Sequence, residues 1–79
     1  MTENDLIEIV ANSLSVPREN ININTNSQNL EEWDSLGHLT ILTAIDKATD
    51  GKASEIETLA SSTSLSEILE ILKKNNIAK

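Results

Sequence analysis

No cysteine and only one aromatic side chain, Trp33, occur among the 79 residues. Disulfides and Cys-based zinc sites are closed to this chain, so its core must be assembled from Leu, Ile, Val and Ala. A chain this short supports one domain, residues 1–79, with a thin core carried by helix–helix packing. Its apolar residues recur at helical spacing almost throughout, which points the same way.

Thr2-x-x-Asp5 has the form of a capping box, and Leu6, Ile7, Ile9, Val10 and Leu14 follow it, predicting a first helix over about residues 3–14. Val16-Pro17 ends it, because the residue before a proline is pushed out of the α region. Residues 17–34 keep no sustained period and hold five asparagines: Asn20, Asn22, Asn24, Asn26 and Asn29. Ile21 and Ile23 alternate with Asn as in a strand, yet a lone strand has nothing here to pair with. An extended loop is expected, pinned to the core by Ile21, Leu30, and Ile23 or Trp33. Loops of this length in small domains tend to be functional.

A second helix is expected over Ser35–Ala48, with Leu36, Leu39, Leu42 and Ile45 on its buried stripe and Ile41, Ala44 and Ala48 widening it. Asp50-Gly51 stops it. Ser54-x-x-Glu57 reads as a capping box opening a short helix through Ile56 and Leu59 that fades at Ser61-Ser62. Ser64-x-x-Glu67 opens the last helix, which buries Leu65, Ile68, Leu69, Ile71 and Leu72 and ends at Asn75-Asn76. The expected fold is therefore all-α: a small bundle of three longer helices and one short one, with a long loop between the first and second.

Thirteen acidic residues stand against six basic ones, a net charge of −7. Nucleic acid is not expected as a partner, because phosphate binding needs clustered Lys and Arg and only Lys73-Lys74 are adjacent. The acidic surface suits basic partner proteins, or simply keeps a small domain in solution. Met1-Thr2-Glu3-Asn4-Asp5 lacks the basic start of a secretory leader, and no apolar run is long enough to span a bilayer. A monomeric, soluble, cytoplasmic protein is expected.

Most of the functional signal lies in Glu31-Glu32-Trp33-Asp34-Ser35-Leu36, where the Asn-rich loop meets the second helix. A hydroxyl at a helix N-terminus faces unpaired N–H groups and the positive end of the helix dipole, and a phosphate attached there is stabilised by both. Asp34, Ser35 and His38 contain the residue types of a hydrolytic triad, and Ser35 and His38 are three apart on one helix. The match is poor: the acid adjoins the nucleophile in sequence, and no Gly-rich turn offers an oxyanion hole. His38 is expected to be an exposed residue on the helix, and one His among scattered carboxylates gives no metal-ligand spacing. The plainest alternative makes Asp34-Ser35 an ordinary helix cap and the protein a non-catalytic helical interaction module without a cofactor.

The order of elements, together with the run Trp33-Asp34-Ser35-Leu36-Gly37-His38-Leu39, resembles the acyl carrier protein family. The resemblance covers essentially the whole chain and includes Val16 and Ile21 at the start of the loop and Thr63-Ser64-Leu65 leading into the last helix. It implies a 4'-phosphopantetheine arm joined to Ser35 through a phosphodiester, whose terminal thiol carries acyl or aminoacyl groups as thioesters. A chain without cysteine would then do thiol chemistry through its cofactor and catalyse nothing itself. The implied partners are a phosphopantetheinyl transferase, an acyl-loading ligase or synthase, and acyl-transferring enzymes. Asp34 would lie beside the phosphate and assist attachment, and Leu36 would pack at the helix start and help present Ser35 to those partners.

The second helix departs from the strongly acidic one of many family members. It carries Gly37, His38, Thr40 and Thr43 after Ser35, and its one acid, Asp46, is offset by Lys47. That favours a specialised carrier over a fatty-acid one, for instance in secondary-metabolite, surface-polysaccharide or amino-acid-loading chemistry, including an aminoacyl or peptidyl carrier. Trp33 is expected to plug the core over the loop. A core of flexible aliphatic side chains further suggests that a lipid-like cargo could be sheltered by parting it.

Overall fold

Thr2 begins the first helix as expected. In the computed structural model, which describes residues 1–78, its hydroxyl accepts from Asp5 N–H at 3.2 Å while its own N–H donates to the Asp5 carboxylate at 3.0 Å. The reciprocal box opens α1, Glu3–Leu14, and buries Leu6, Val10, Ala11 and Leu14. The Thr2 backbone N–H first, and its hydroxyl second, hold the Asp5 carboxyl below the ordinary aspartate range. A depressed value means that the box stabilises fully above the unfolded-state value and fades as pH falls through the folded one. An NMR titration is expected to show the Asp5 carboxyl titrating below the usual aspartate midpoint, with the Thr2 amide resonance moving along the same curve.

The chain leaves α1 one residue before Val16-Pro17. Ser15 takes the left-handed conformation, φ 57°, and the Val16 N–H returns to Ala11 O at 3.0 Å, so backbone hydrogen bonds close the helix ahead of the proline.

Across the long loop the asparagines serve as backbone partners. Asn24 N–H donates to Asn22 Oδ1 (2.8 Å), Asn26 Oδ1 accepts from the amides of Gln28 and Asn29, and Asn29 Oδ1 accepts from Asn26 N–H. Side-chain amides in this way replace the ladder that a strand would have supplied. One short 3₁₀ turn, Arg18–Asn20, interrupts the loop. Among the described residues no strand forms. A single antiparallel bridge pairs Asn26 with Ser64, flanked by Ser27 N–H to Thr63 O and Leu65 N–H to Thr25 O, and fixes the loop against the start of the last helix. Ile21 and Trp33 are buried, whereas Ile23 and Leu30 are half-buried against the core.

The second helix, α2, spans Ser35–Ala48 as expected, and Ile41, Leu42, Ala44 and Ile45 of its expected apolar face turn inward, whereas Leu36, Leu39 and Ala48 do not. Ile41 and Ile45 are fully buried and Leu42 half-buried, while Leu36 and Leu39 are 73% and 60% exposed and Ala48 faces solvent. Leu36 and Leu39 lie on a different side of the helix from Ile41 and Ile45. The inward side continues from His38, which Trp33 bonds, and Trp33, Ile41 and Ile45 share one buried cluster.

Asp50 and Gly51, both with positive φ, turn the chain after α2. The box expected at Ser54-x-x-Glu57 does not form. Ser54 lies inside a 3₁₀ turn, Ala53–Glu55, with its hydroxyl donating to Gly51 O and its N–H to Asp46 Oδ1, so it is engaged by the preceding turn. The short helix, α3, is one turn, Thr58–Ser61, and buries Leu59. Ser64 caps the last helix, α4, Leu65–Lys74, through Glu67 N–H. The Glu67 carboxylate accepts from the Ser64 and Thr63 hydroxyls instead of closing the box on the backbone. Leu65, Ile68, Leu69 and Leu72 are buried, and Ile71 lies half-buried at the edge.

The result is the expected all-α bundle of three longer helices and one short one. α1 packs most extensively on α2 and also touches α4, while α3 bridges α2 and α4. No helix among the described residues is long and apolar enough to cross a membrane.

Candidate functional site

Asp34, not Ser35, is the N-cap of α2: its backbone is extended and its Oδ1 accepts from Gly37 N–H at 2.8 Å. Ser35 is the first helical residue. Its side chain is exposed, and its hydroxyl makes no hydrogen bond among the described residues. The Ser35 and Leu36 amides have no carbonyl partner within a helix that begins at Ser35. An uncommitted hydroxyl and two free donors thus share the positive end of a 14-residue helix.

Gly37 fixes how closely this end approaches the rest of the fold. A Cβ built there would clash with the Glu32 carbonyl oxygen and come within 2.7 Å of Leu14 Cδ2. The absent side chain lets the first turn of α2 sit directly against the loop and α1. Its cost in helix propensity is the condition for that contact.

His38 departs from its expected exposed position. It is half-buried, and its Nδ1 accepts from Trp33 Nε1–H at 3.1 Å while Nε2 lies 3.0 Å from Leu59 O. A carbonyl only accepts, so Nε2 carries the proton, and the two partners together fix the tautomer. The rings of Trp33 and His38 stack with centroids 6.1 Å apart and planes inclined by 19°. His38 therefore ties the end of the loop, the first turns of α2 and the single turn of α3 into one unit. Trp33 is 2% exposed, the expected plug.

These bonds also account for the three residue types of the triad. Both imidazole nitrogens face Trp33 and Leu59, and the Asp34 carboxylate faces the Gly37 amide. Nothing in this set connects His38 to Ser35 or Asp34 to the imidazole, as base and orienting acid must be connected.

A groove of about 440 Å³ runs from Ser35 to the α3–α4 connection. Trp33 and His38 border it on the α2 side, and Ser61, Ser62 and Thr63 form the opposite wall. Ser62 is itself buried, its hydroxyl donating to Leu59 O at 2.7 Å, so Leu59 O receives both the Ser62 hydroxyl and His38 Nε2. On the α2 surface next to Ser35, Leu36 and Leu39 stand out as exposed large apolar side chains.

Asp34, Ser35 and Leu36 thus meet at one helix end, as their adjacency requires. Sequence reasoning missed His38 and the hydroxyl-bearing wall. The spacing of His38 from Trp33 was visible, but no local pattern announces a bond to Leu59, 21 residues away. No family model, curated protein or solved structure matches the chain.

Proposed function

We propose that the protein is a carrier that holds acyl or aminoacyl groups as thioesters on a 4'-phosphopantetheine arm attached to Ser35 and delivers them to partner enzymes. The observation that carries this reading is the division of labour at the start of α2. Asp34 already does the capping, which leaves the Ser35 hydroxyl exposed and uncommitted at a place where a phosphodiester is electrostatically favoured. Had Ser35 been the cap, its hydroxyl would have been engaged, and a purely structural role would suffice.

The residues around Ser35 fit the arm. The Ser35 and Leu36 amides, without helical acceptors at the start of α2, would be available to a phosphate on Oγ. The adjoining groove offers hydroxyls from Ser61 and Thr63 to an arm rich in amides. The arm supplies the thiol that the chain lacks. The chain supplies position: Trp33 and Gly37 hold the helix end in place, Asp34 caps the helix one residue before the attachment site, and Leu36 and Leu39 give a transferase or ligase an apolar surface to rest on. The phosphopantetheinyl transferase and the loading and unloading enzymes are the partners this reading requires, and the protein itself needs no catalytic group.

Incubation of the purified protein with coenzyme A and a broad-specificity phosphopantetheinyl transferase tests the proposal. Transfer forms the Ser35 Oγ–phosphorus bond, breaks the pyrophosphate link, and releases adenosine 3',5'-bisphosphate and the hydroxyl proton. Intact mass is expected to rise by one arm in the parent protein and by nothing in Ser35→Ala, with both giving the same helical far-UV CD spectrum. A folded parent protein that takes up no arm refutes the carrier. Labelling of Ser35 by a fluorophosphonate would point to a hydrolase instead.

A further inference from the structure

Each ring nitrogen of His38 has its protonation dictated by what it meets. The Trp33 indole only donates, so Nδ1, 3.1 Å from Nε1, must offer a lone pair. The Leu59 carbonyl only accepts, so Nε2, 3.0 Å away, must hold the proton. One neutral tautomer satisfies both partners. An imidazolium does not, because it carries N–H on both nitrogens and has nothing left to accept with.

The two sides of the ring respond differently to a second proton. Nε2 keeps its own, so the bond to Leu59 O survives, and that carbonyl also holds the Ser62 hydroxyl at 2.7 Å. At Nδ1 the new N–H faces the indole N–H, donor against donor. Trp33 is 2% exposed, so its N–H regains a partner only if the ring or the end of the loop shifts toward the groove. Trp33 leads directly into Asp34, the cap of α2, and into Ser35.

Few charges lie near the ring. Among the residues bordering the groove only Asp34 has a carboxylate; it is exposed, and its Oδ1 accepts from the Gly37 N–H. Glu31 and Glu32 on the loop and Glu57 just before α3 are exposed as well, and the wall of Ser61, Ser62 and Thr63 carries no charge. Further along α2, Asp46 accepts from Ser54 N–H and Lys47 is exposed. Solvent and salt weaken the pull of exposed carboxylates on a proton, whereas the indole meets Nδ1 directly.

We propose that His38 is a pH-responsive link between the end of the loop and α2: as the neutral ring it binds Trp33, and on gaining a proton at Nδ1 it lets Trp33 go while staying fastened to α3. The link goes beyond the carrier reading, since it operates whether or not Ser35 bears an arm. A bond that needs the bare Nδ1 stabilises in full while the ring is neutral and is lost as the proton arrives. Its contribution therefore falls as pH falls.

An NMR titration of the full chain from about pH 8 to 5, the span in which histidine changes charge, tests the proposal. The Trp33 indole N–H resonance is expected to move upfield as its acceptor is lost, on the same curve as the His38 ring resonances. An indole resonance that stays in place overturns the proposal, whether or not the ring takes up a proton in that range. Urea unfolding gives a second reading. His38→Gln offers Trp33 an amide oxygen and Leu59 an amide N–H on a side chain that does not titrate. Over the same range the urea midpoint of the parent protein is expected to fall relative to that of His38→Gln, since the carboxylates common to both cancel in the comparison. Parallel curves overturn the link. Trp33→Phe keeps His38 but removes the donor, so the extra pH dependence is expected to vanish there, and its persistence also overturns the link. Should either variant fail to fold, the indole titration decides alone.

Discussion

Trp33→Ala is expected to remove a large share of the stability of the domain. Truncating a large buried aromatic side chain costs about 3–5 kcal/mol, because the transfer free energy is lost and a cavity remains. Domains hold about 0.05–0.15 kcal/mol per residue, roughly 4–12 kcal/mol for a chain of this length, so the loss takes between about a quarter of the stability and all of it. Trp33 is 2% exposed and belongs to the same buried cluster as Leu6, Ile41 and Leu65. No other aromatic residue in the chain can take over its volume. Trp33→Phe separates packing from hydrogen bonding: it keeps a ring but deletes the donor to His38 Nδ1, for which about 1 kcal/mol is expected. Urea unfolding followed by far-UV CD measures both, since tryptophan fluorescence is lost with the residue. A Trp33→Ala midpoint close to that of the parent protein would show that the ring does not plug the core.

Gly37→Ala is expected to destabilise, against what helix propensity alone says. Propensity favours Ala over Gly inside a helix by about 0.8–1.0 kcal/mol. Here the new methyl meets the Glu32 carbonyl oxygen and Leu14 Cδ2, and the first of these is backbone that cannot rotate away. Overpacking of this kind typically costs about 1–3 kcal/mol, so the clash outweighs the propensity gain. The first turn of α2 must then lift off the loop, carrying Asp34 and Ser35 with it. A lower thermal midpoint is expected and, under the proposed carrier reading, slower modification of Ser35 by a transferase. Gly51 provides the contrast. A methyl added there would find nothing within 4 Å, but the φ of 84° is one that side chains disfavour, so Gly51→Ala suffers from backbone conformation and leaves the Ser35 region untouched. A Gly37→Ala protein more stable than the parent would remove the close approach as the reason for that glycine.

Where local chemistry suffices, the fold is legible in the sequence. Thr2-x-x-Asp5 and the period of α1 predict a helix over Glu3–Leu14, and the Asp34–Ser35 junction and Asp50-Gly51 bound α2 at Ser35–Ala48. Ser64 is recognisable as the start of α4 because a hydroxyl three residues before a carboxylate is a signal contained in four consecutive residues. The same signal misleads at Ser54, whose hydroxyl and amide are drawn to Gly51 and Asp46 in the turn before it. The asparagines correctly mark an irregular loop, but the partners that order it, including the bridge to Ser64, lie outside any short window.

What the sequence determined by itself is the set of helices, the scarcity of ways to build a core, and the placing of Ser35 at a helix start beside Asp34. These follow from capping, period and composition, which act between near neighbours. The tertiary structure decided where the buried face of α2 ends, because Leu36 and Leu39 are as apolar as Ile41 and Ile45 and only packing leaves the first pair outside and the second inside. It also decided that Gly37 is a contact and that His38 bridges Trp33 and Leu59. Both depend on atoms brought near from elsewhere in the chain, Leu14 in one case and Leu59 in the other, and such distances are fixed only when the helices pack.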